Sequence, residues 1–527
     1  MEPNIIGIAV TILLYLGMMI VIGIVFTKKN KDVSDFYLGG RKLGPLVSAM
    51  SAEASDMSSW LLMGLPGVAY LCGAAEATWT AIGLAVGTYL NWLFVAKRLR
   101  IYTQHTDSIT LPEFFSNRYH DEQRILTGVS ALIILIFFVP YTASGFSACG
   151  KLFGTLFGMD YHTAMIIAAI IIIAYTSLGG FLAASFTDLI QSIVMTVALV
   201  ILVCFGVSTA GGFSAVIDNA KSIENYLSLT VTNAFSMESG SFSKSGYGIL
   251  PIVSTLAWGL GYFGMPHILL RFMAIEDEQK IKISRRIASV WVIIAMGIAI
   301  FIGFIGNAMS ANGSISTLYG ENVNKSETVV MEIAMLLSKH NIFAAILAGL
   351  IFAGILACTM STSDSQLLAA SSSMSENLLK GVFRIKMSDK ISMLVARAVL
   401  LVIAGAGIVL AWDENSSVFR VVSFAWAGFG ATFGPAILAA LFWKHSNKWG
   451  ILAGMIGGGF MVFFWKFFVV AKLGSGFPFL NIYELLPAFI VAMLLIFIFS
   501  MLTGDPSEDI IEEYTIVRDL SRNMKEL

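Results

Sequence analysis

The chain is poor in charged residues, which make up 13% of its 527 residues. Ordinary globular domains carry about 25% charged residues, so the composition predicts a protein whose main solvent is lipid. Lys and Arg number 33 and Asp and Glu number 34, which leaves a formal net charge of -1. Because a basic surplus is missing, we expect no nucleic-acid partner.

Cysteine is scarce as well. The four cysteines (Cys72, Cys149, Cys204 and Cys358) lie in or beside apolar stretches, and none has CxxC spacing. This spacing argues against a zinc site and against a disulfide framework. The sequence also lacks nucleotide, zinc and catalytic-serine motifs, so an enzyme is not expected. The first apolar run lacks a basic region before it and a cleavage site after it, which predicts a retained span.

Long apolar runs are what the sequence has in abundance, with 57% hydrophobic residues. Since about 20 apolar residues cross a bilayer, the runs predict an all-α integral membrane protein with about 13 transmembrane helices. They are bounded by charges or by Gly, Pro and Asn clusters, and begin near Ile5, Leu43, Cys72, Ile125, Tyr161, Leu189, Gly248, Ile287, Ile342, Ile391, Val418, Gly450 and Tyr483.

The placement of Lys and Arg predicts the orientation. About 25 of these residues fall in loops on one side of the predicted spans, and about seven fall on the other. By the positive-inside rule the rich side is cytoplasmic, so the N-terminus lies outside and the C-terminus lies in the cytoplasm. On this map Arg271 belongs to the loop after the seventh span, and Lys466 is the only basic residue well inside a span.

Two segments do not read as plain lipid-facing helices. One is residues 48–60, followed by Gly64-Leu-Pro-Gly67, in the second span; the other is residues 257–267 in the seventh. Matching interruptions in two halves of a chain indicate a transporter site at an inverted-repeat interface. The alternative is that both are Gly and Pro kinks tolerated for helix packing.

Four acids fall in or at the end of apolar runs: Glu53, Asp56, Asp188 and Asp364. Charges at membrane depth are costly and are normally paired. With only Lys466 inside a span, we expect an ion, a proton or a water-filled cavity to pair them. Helix capping is the alternative for Asp188, and backbone or hydroxyl hydrogen bonds are the alternative for Asp56 and Asp364. Glu53 is either protonated and buried or facing a cavity.

The ninth span contains a run of hydroxyl side chains, Cys358-Thr-Met-Ser-Thr-Ser-Asp-Ser-Gln366. On a helix Ser361, Asp364 and Ser365 share one face. Together with carbonyls of a broken helix they predict an all-oxygen site for a hard cation. The alternative is that Ser and Thr join membrane helices by hydrogen bonds.

Three aromatic residues, Tyr141, Trp258 and Tyr262, lie on glycine-flanked segments of the predicted spans. Helix packing and the interfacial aromatic belt are the ordinary roles of such side chains. Substrate contact is the alternative.

Several of these segments resemble motifs of the sodium:solute symporter family, closest to its bacterial sodium/proline symporters. Ser51-Ala-Glu-Ala-Ser-Asp-Met-Ser-Ser-Trp-Leu-Leu-Met-Gly-Leu-Pro-Gly67 resembles the motif of the first core helix. The other similar segments occur in the family's order along the chain and are Leu38–Pro45, Gly179–Asp188, Trp258–Leu269, Met360–Thr362 and Ala425–Gly430.

The resemblance implies a core of two inverted repeats of five helices, with the first and sixth core helices broken. It also implies a multi-pass protein of the bacterial cell membrane. The expected divisions are an N-terminal helix and loop, the first repeat, an extracellular loop, the second repeat, two C-terminal helices and a cytoplasmic tail, at residues 1–42, 43–212, 213–246, 247–445, 446–503 and 504–527.

The resemblance also implies site residues. Sodium would be bound by the carbonyls of Ala54, Met57 and Cys358 and the hydroxyls of Ser361 and Thr362, with Asp56 in support. The substrate would contact Ser58, Trp60, Tyr141, Trp258, Tyr262 and Pro266. In some relatives a second sodium site forms at positions that correspond here to Asp188, Ser361, Asp364 and Ser365.

The predicted function is sodium-coupled import of a small amino acid, most simply L-proline, by alternating access, with sodium, this solute and the lipid bilayer as partners. Three departures from the proline branch bear on it: Glu53 and Ser59 replace glycines, and Met265 replaces a glutamine. The alternatives are a proton-coupled or different-substrate member of the family and, from other classes, an ion channel, a membrane enzyme or a sensor. Neither a selectivity-filter motif nor a voltage-sensor repeat is present.

Overall fold

The computed structural model describes residues 4–27, 33–236, 241–319 and 323–523. Helices dominate these residues, together with short 3-10 and π-helical stretches between them. The α-helices before the central hairpin are α1 (Ile5–Thr27), α2 (Val33–Leu38), α3 (Pro45–Ser59), α4 (Leu65–Cys72), α5 (Ala74–Leu90), α6 (Ala96–His105), α7 (Leu111–Arg118), α8 (Ile125–Phe157), α9 (Tyr161–Thr209) and α10 (Phe213–Ser222).

The hairpin pairs β1 (Val231–Ser236) antiparallel with β2 (Ser241–Gly246). The helices after it are α11 (Ile249–Leu256), α12 (Pro266–Ala274), α13 (Ile281–Ala311), α14 (Val329–Ser338), α15 (Ile342–Ser372), α16 (Asp389–Leu410), α17 (Val418–Phe442), α18 (Lys448–Phe464), α19 (Leu485–Thr503) and α20 (Glu508–Asn523). The expected all-α architecture is therefore confirmed apart from this hairpin, which lies in the segment predicted to be an extracellular loop.

Within the described residues, ten helical segments are long and apolar enough to cross a membrane, and a bent helix pair makes an eleventh. The predicted runs near Leu43 and Tyr161 are not among them. Residues 45–72 are broken within α3, and α9 is kinked at Gly180, which leaves Tyr161–Ala174 as a shorter apolar helix. The multi-span helical fold is confirmed, and the count of thirteen stays a prediction.

The second predicted span is interrupted at Ser58, where the backbone leaves the helical region with φ 47° and ψ -172°. A positive φ is uncommon for a residue with a Cβ. The break thus lies inside the predicted segment 48–60, whereas the following Gly64-Leu-Pro-Gly67 stays helical. Pro66 lies in the first turn of α4, directly after the π-helical turn Trp60–Gly64.

The seventh predicted span is broken as expected. It consists of α11, a 3-10 segment at Ala257–Gly264 and α12, with a bend of 47°. Met265 is extended, with φ -76° and ψ 109°, and Pro266 begins α12. Since proline cannot continue the preceding helical hydrogen bonds, the sequence marks this break directly.

The 3-10 segment lies against α5 with backbone touching backbone. A Cβ added to Gly259 would lie 2.2 Å from the carbonyl oxygen of Gly83, and one added to Gly87 would lie 2.3 Å from the carbonyl oxygen of Gly259. Real Cβ atoms do not approach so closely, so glycine is required here for close helix packing. This contact fixes the broken seventh span against the third.

Helix α15 lies at the centre of the fold, in contact with α1, α3, α8 and α9. Every residue from Ile351 to Ser372 is buried, so its run of hydroxyls faces other helices rather than lipid. Helix α1, by contrast, exposes Leu13 and Leu14 by 67% and 70%. The center of the bundle is therefore polar and its periphery is apolar, as expected for a protein with lipid outside and a polar site inside.

Candidate functional site

The break at Ser58 frees backbone carbonyls beside α15. A helix leaves the last four carbonyls before its end without intrahelical partners. In the structure the Ala54 carbonyl lies 2.8 Å from Ser361 Oγ, and the Asp56 carbonyl accepts the hydroxyl of Tyr141 at 3.4 Å. The Met57 carbonyl accepts the backbone N–H of Trp60.

Four of the five predicted sodium ligands, all but Met57, come together around Ser361. Its Oγ lies 2.8 Å from the Ala54 carbonyl and 3.2 Å from the Cys358 carbonyl, and Thr362 Oγ1 lies 3.1 Å from the same Cys358 oxygen. All of these are buried, uncharged oxygen atoms. Oxygen donors are the ligands that hard cations prefer, so this joint between α3 and α15 has suitable chemistry for sodium.

A small cavity lies next to this joint. Its volume is about 10 Å³, room for about one water molecule, and its lining residues are Asp56, Met57, Trp60, Leu84, Tyr141, Trp258, Val422 and Trp426. Three predicted substrate residues, Trp60, Tyr141 and Trp258, therefore line one cavity, and their contact with a substrate stays a prediction. In this structure the cavity is too small for an amino acid.

Three further predicted substrate residues lie beside this cavity without lining it. Tyr262 packs edge-on against Trp426, with ring centroids 5.1 Å apart. Ser58 Oγ accepts the backbone N–H of Trp60 at 3.2 Å, and Pro266 begins α12 behind the completely buried Met265. Ser58 and Pro266 therefore shape the two helix breaks.

Leu84, Val422 and Trp426 were not predicted as lining residues. Trp426 donates its indole N–H to the carbonyl of Trp258 at 2.7 Å. It belongs to the segment Ala425–Gly430, which resembles the family. The signal for Trp426 was present in the sequence, and nothing about Leu84 or Val422 separates them from ordinary apolar residues of a span.

Aromatic rings close one end of the cavity. We call Trp60, Trp258, Phe419 and Tyr483 the aromatic end. The ring centroids of Trp60 and Trp258 are 5.8 Å apart, those of Trp258 and Phe419 are 5.4 Å apart, and those of Trp258 and Tyr483 are 5.1 Å apart. Such distances are typical of favourable aromatic pairs, and no charged group takes part in these ring contacts.

The carboxylate of Asp56 lines the same cavity. Its Oδ2 accepts the hydroxyl of Tyr262, and its Oδ1 has no hydrogen-bond partner among the described residues. A buried carboxylate is stable when a cation or hydrogen-bond donors compensate it. Asp56 therefore offers one open oxygen atom to a cation or to the amino group of a solute.

Asp188 is paired by the protein itself, which corrects two expectations. The carboxylate lies 3.1 Å from Nη2 of Arg271, and both side chains are almost completely buried. Arg271 is thus inside the fold, so its assignment to a loop is wrong. Lys466 is also not the only basic residue deep in the fold, as had been expected. The reason is that α12 is buried along its whole length. The apolar residues on both sides of Arg271 were the signal in the sequence that could have indicated its burial.

Helix capping does not explain Asp188 either. The second half of α9 begins at the kink at Gly180, where φ is 63°, rather than near Leu189. Asp188 therefore lies two turns inside a helix, and its Oδ2 accepts the hydroxyls of Ser51 at 2.6 Å and Ser55 at 3.2 Å.

The residues of the predicted second sodium site are linked through Ser365. Its Oγ lies 2.9 Å from the Ser361 carbonyl and 3.1 Å from Asp364 Oδ1, and it also receives Nη2 of Arg271 at 2.5 Å. All four predicted residues thus belong to one network of buried polar groups. Sequence reasoning missed the arginine at its center.

Glu53 is buried away from the cavity. Its Oε1 accepts the hydroxyl of Thr88 at 3.1 Å and the indole N–H of Trp92 at 3.2 Å. Its Oε2 has no hydrogen-bond partner in the described part of the chain. Of the two alternatives for Glu53, the structure favours the buried one.

Arginine side chains close the opposite end of the bundle. We call Arg41, Arg98 and Arg100 the arginine end. Arg41 donates to the carbonyls of Met273 at 2.6 Å, Thr103 at 2.9 Å and Ser108 at 2.8 Å. Arg100 and Arg98 donate to the carbonyls of Ile275 at 2.6 Å and Leu441 at 2.7 Å. The loops before α3 and after α12 are thereby fastened to α6 and α17.

Comparisons with known proteins agree with this arrangement. A sodium/proline symporter of Haemophilus influenzae is 42% identical over 510 residues, covering 96% of each chain. A high-affinity proline transporter of Bacillus subtilis is 40% identical over 505 residues, which are 95% of this chain and 99% of the relative. The sodium/proline symporter of Escherichia coli is 41% identical and covers 94% and 93% of the two chains.

Solved structures share the fold. A substrate-bound, outward-open Na⁺-coupled sialic acid symporter matches with a TM-score of 0.74 at 18% identity, covering 95% of this chain and 99% of the other. A closed nucleobase–cation symporter matches with a TM-score of 0.53 at 14% identity, covering 92% and 98%. The sequence pattern of the sodium:solute symporter family matches residues 36–458. On this match and on relatives at least 40% identical over nearly their whole length, the chain belongs to the sodium:solute symporter family.

Proposed function

We propose that the protein is a symporter that uses a sodium gradient to import L-proline. The observation that carries the proposal is the joint between Ala54 and Ser361, with 2.8 Å between carbonyl and hydroxyl, beside an aromatic cavity. An ion bound at this joint would hold α3 and α15 together, and these two helices must move relative to each other during transport. The relatives named for sodium and proline symport extend over the whole chain, which supports the same solute and ion.

Sodium is a co-substrate in this proposal. The carbonyls of Ala54, Met57 and Cys358 and the hydroxyls of Ser361 and Thr362 would replace its water shell, and Asp56 would compensate its charge from the cavity side. An ion here joins the broken α3 to the central α15. Sodium therefore stabilises the arrangement in which the solute site beside it is complete.

Proline would occupy the cavity next to the sodium once the aromatic end opens. Its apolar ring suits the faces of Trp60, Trp258 and Tyr141, while its charged amine suits the open oxygen of Asp56. Tyr262 holds the other oxygen of Asp56, and Ser58 and Pro266 set the two helix breaks. The buried Ser59 and Met265, which depart from the proline branch, are the residues through which another small solute would be selected.

Alternating access follows from the two breaks. We assign residues 43–212 and 247–445 to the inverted repeats, preceded by residues 1–42, separated by the extracellular segment 213–246 and followed by the helices of 446–503. In the bacterial plasma membrane the N-terminus and the aromatic end would face outside, and the arginine end and the tail at 504–527 would face the cytoplasm. Solute closes the aromatic end, and both partners leave at the arginine end.

The test is binding linkage on purified protein. Coupling between two ligands is reciprocal, so sodium should raise the affinity for proline by the same factor as proline raises the affinity for sodium. Trp60, Trp258 and Trp426 line the cavity and make tryptophan fluorescence a direct readout. In S361A/T362A we expect the factor to fall to about 1, since both hydroxyls would be ligands of the ion in this proposal and neither would contact the solute.

The control is S372A/S373A, which removes two buried hydroxyls of the same helical region that, among the described residues, bond only to the carbonyl of Ala369. We expect this pair to keep the wild-type coupling factor. Unchanged coupling in S361A/T362A would refute the sodium site, and proline binding that is independent of sodium in the wild type would refute the function.

A further inference from the structure

A second cavity lies beneath the β1–β2 hairpin, and we call it the hairpin cavity. Its volume is about 440 Å³, within the range of about 300–1,000 Å³ that is typical of small-molecule sites. It is enclosed by α4, α10, the hairpin, the end of α13 and the segment that follows α13. It shares no lining residue with the cavity beside Asp56. The lining residues that matter below are Tyr70, Glu224, Asn233, Phe242, Lys244 and Tyr319.

The hairpin contributes one wall through the side chains of one face. Asn233 lies opposite Lys244 in the strand register, and both line the cavity. Residues two positions apart on a strand point to the same side, so Phe242 belongs to the same face as Lys244. Asn233 is 5% exposed, and its side-chain amide has no hydrogen-bond partner among the described residues. This amide is therefore available to a bound molecule.

Three aromatic rings line the cavity. The ring centroid of Tyr319 lies 5.1 Å from that of Phe242 and 6.3 Å from that of Tyr70. The planes of these two pairs meet at 75° and 50°, so the rings do not stack in parallel on one another. Aromatic faces attract quaternary ammonium groups through cation–π interactions. The aromatic wall thus suits a methylated cation.

One acid and one base line the same cavity. Glu224 and Lys244 form an ion pair, and their side chains are 73% and 48% exposed. Exposed ion pairs contribute little to stability. A molecule that carries both a positive and a negative charge can therefore replace this pair at small cost, because each side chain receives a new partner. The charges favour a zwitterion over a ligand of one sign.

The floor of the cavity connects it to the broken second span. The hydroxyl of Tyr70 lies 2.8 Å from Ser310 Oγ, and Asn307 Nδ2 donates to the Tyr70 carbonyl at 3.2 Å. Asn219 Nδ2 donates to Asn307 Oδ1 at 2.9 Å. Tyr70 lies on α4, which follows the break at Ser58. A molecule in the hairpin cavity would thus contact the half of the broken span that must move when the aromatic end opens.

We propose that the hairpin cavity is a regulatory site for a betaine, a small zwitterion with a quaternary ammonium group and a carboxylate. The ammonium group lies against the rings of Phe242 and Tyr319, beside the carboxylate of Glu224. The carboxylate of the ligand accepts hydrogen bonds from Lys244 and Asn233. The site is separate from the one proposed for proline, and its occupant is not transported.

The regulatory effect follows from what the ligand joins. A betaine between the hairpin and α4 stabilises the arrangement seen here, since a ligand favours the state that it fits. In this arrangement the cavity beside Asp56 is too small for an amino acid. Bound betaine therefore slows proline uptake without competing for the proline site. This effect on uptake rests on the proposed function, whereas the binding of betaine does not.

The first measurement is calorimetric binding of glycine betaine and of choline to purified protein without sodium and proline. Choline has the same quaternary ammonium group and lacks the carboxylate. We expect one saturable betaine site in the wild type. K244Q should weaken betaine binding roughly tenfold, the loss of one charged hydrogen bond, and should leave choline binding equal or tighter because Glu224 loses a competing cation. F242A should weaken both ligands.

Two variants serve as controls. K221Q removes an exposed lysine of α10 that does not line the cavity, and S361A/T362A disables the proposed sodium site. Both should bind betaine as the wild type does. The proposal would be overturned by a wild type that binds no betaine, by a K244Q variant that weakens betaine and choline alike, or by loss of betaine binding in S361A/T362A.

The second measurement is sodium-driven proline uptake in proteoliposomes with and without glycine betaine. We expect betaine to lower the maximal rate at unchanged KM in the wild type and in K221Q, and to have a weaker effect in K244Q. A rise in KM at unchanged maximal rate would show competition at the proline site and overturn the regulatory role. Absence of proline uptake would refute the proposed function, and calorimetry would still decide whether the hairpin cavity binds betaine.

Discussion

The two ends of the bundle close by different chemistry. The aromatic end closes through ring contacts among Trp60, Trp258, Phe419 and Tyr483. The arginine end closes through hydrogen bonds from Arg41, Arg98 and Arg100 to backbone carbonyls of other segments. Rings can slide past one another without leaving a polar group unpaired, whereas the arginine bonds must break one by one.

The difference predicts which end opens more easily. Hydrogen bonds from charged groups contribute about 1.5–3 kcal/mol each, and an aromatic pair contributes about 0.5–1.5 kcal/mol beyond its buried area. We therefore expect the protein without ligands to open first at the aromatic end. Sodium and solute would then enter from the outside of the cell.

The largest expected effect comes from R41A, which removes three bonds to carbonyls at the arginine end. Counting about 1.5 kcal/mol for each, opening of this end should become easier by about 4.5 kcal/mol, roughly two-thousandfold. The measurement is the rate of thiol labelling at S48C, a buried position whose hydroxyl contacts the Arg271 carbonyl, in protein without its native cysteines.

K42A is the matched control for R41A. The side chain of Lys42 is 67% exposed and contacts Asp35 at 3.4 Å, and exposed pairs contribute about 0–1 kcal/mol. Labelling of S48C should therefore stay within a few-fold of wild type in K42A. Equal labelling rates in R41A and in K42A would contradict the claim that arginine hydrogen bonds hold this end closed.

A smaller effect is expected for F419A at the aromatic end. The ring of Phe419 lies 6.1 Å from that of Trp60 and 5.4 Å from that of Trp258. Losing two such pairs should cost about 2 kcal/mol and speed the release of bound proline by about thirtyfold. The measurement is the dissociation rate of proline in stopped flow.

F464A serves as the control for F419A. Phe464 lies on α18, is 37% exposed and stacks on Phe460 and Phe468 away from the cavity. Its removal should leave proline dissociation unchanged. Slower release in F419A, or equally fast release in both variants, would contradict the role of the aromatic end.

The smallest expected effect is that of E513Q, which tests how far the arginine end extends. Glu513 on α20 lies 3.1 Å from His120, whose side chain is 45% exposed. Since such pairs contribute less than about 1 kcal/mol, labelling of S48C should change by less than about fivefold. A change as large as that of R41A would make the tail helix part of the closure.

Much of the fold was predictable from the sequence because lipid imposes strong rules. Long apolar runs predicted the spans, and the segment around Pro266 predicted the break in the seventh. The hydroxyl run of α15 predicted a polar center, and the aromatic Trp60, Tyr141 and Trp258 indeed lie around one cavity. The spans, the break and the polar center depend on local composition, whereas the grouping of the aromatic residues was implied by the resemblance to the family.

The missed features depend on tertiary contacts. The break at Ser58 lies within the predicted segment 48–60, but its exact position rests on a positive φ at a residue with no local turn signal. Arg271 appeared to follow a span, because the apolar residues on both sides of it do not show by themselves that α12 is covered by α3, α9 and α15. Its partner Asp188 is 83 positions away in the sequence, so their pairing could not be inferred from either segment alone. The ligand roles of the site residues stay predictions.

The most direct test of the account is uptake of labelled L-proline into proteoliposomes of wild-type protein under an inward sodium gradient, compared with a proton gradient and with no gradient. The account predicts accumulation with sodium only, abolished by S361A/T362A and retained by S372A/S373A. Accumulation driven equally well by protons without sodium, or no proline uptake under any gradient, would contradict it.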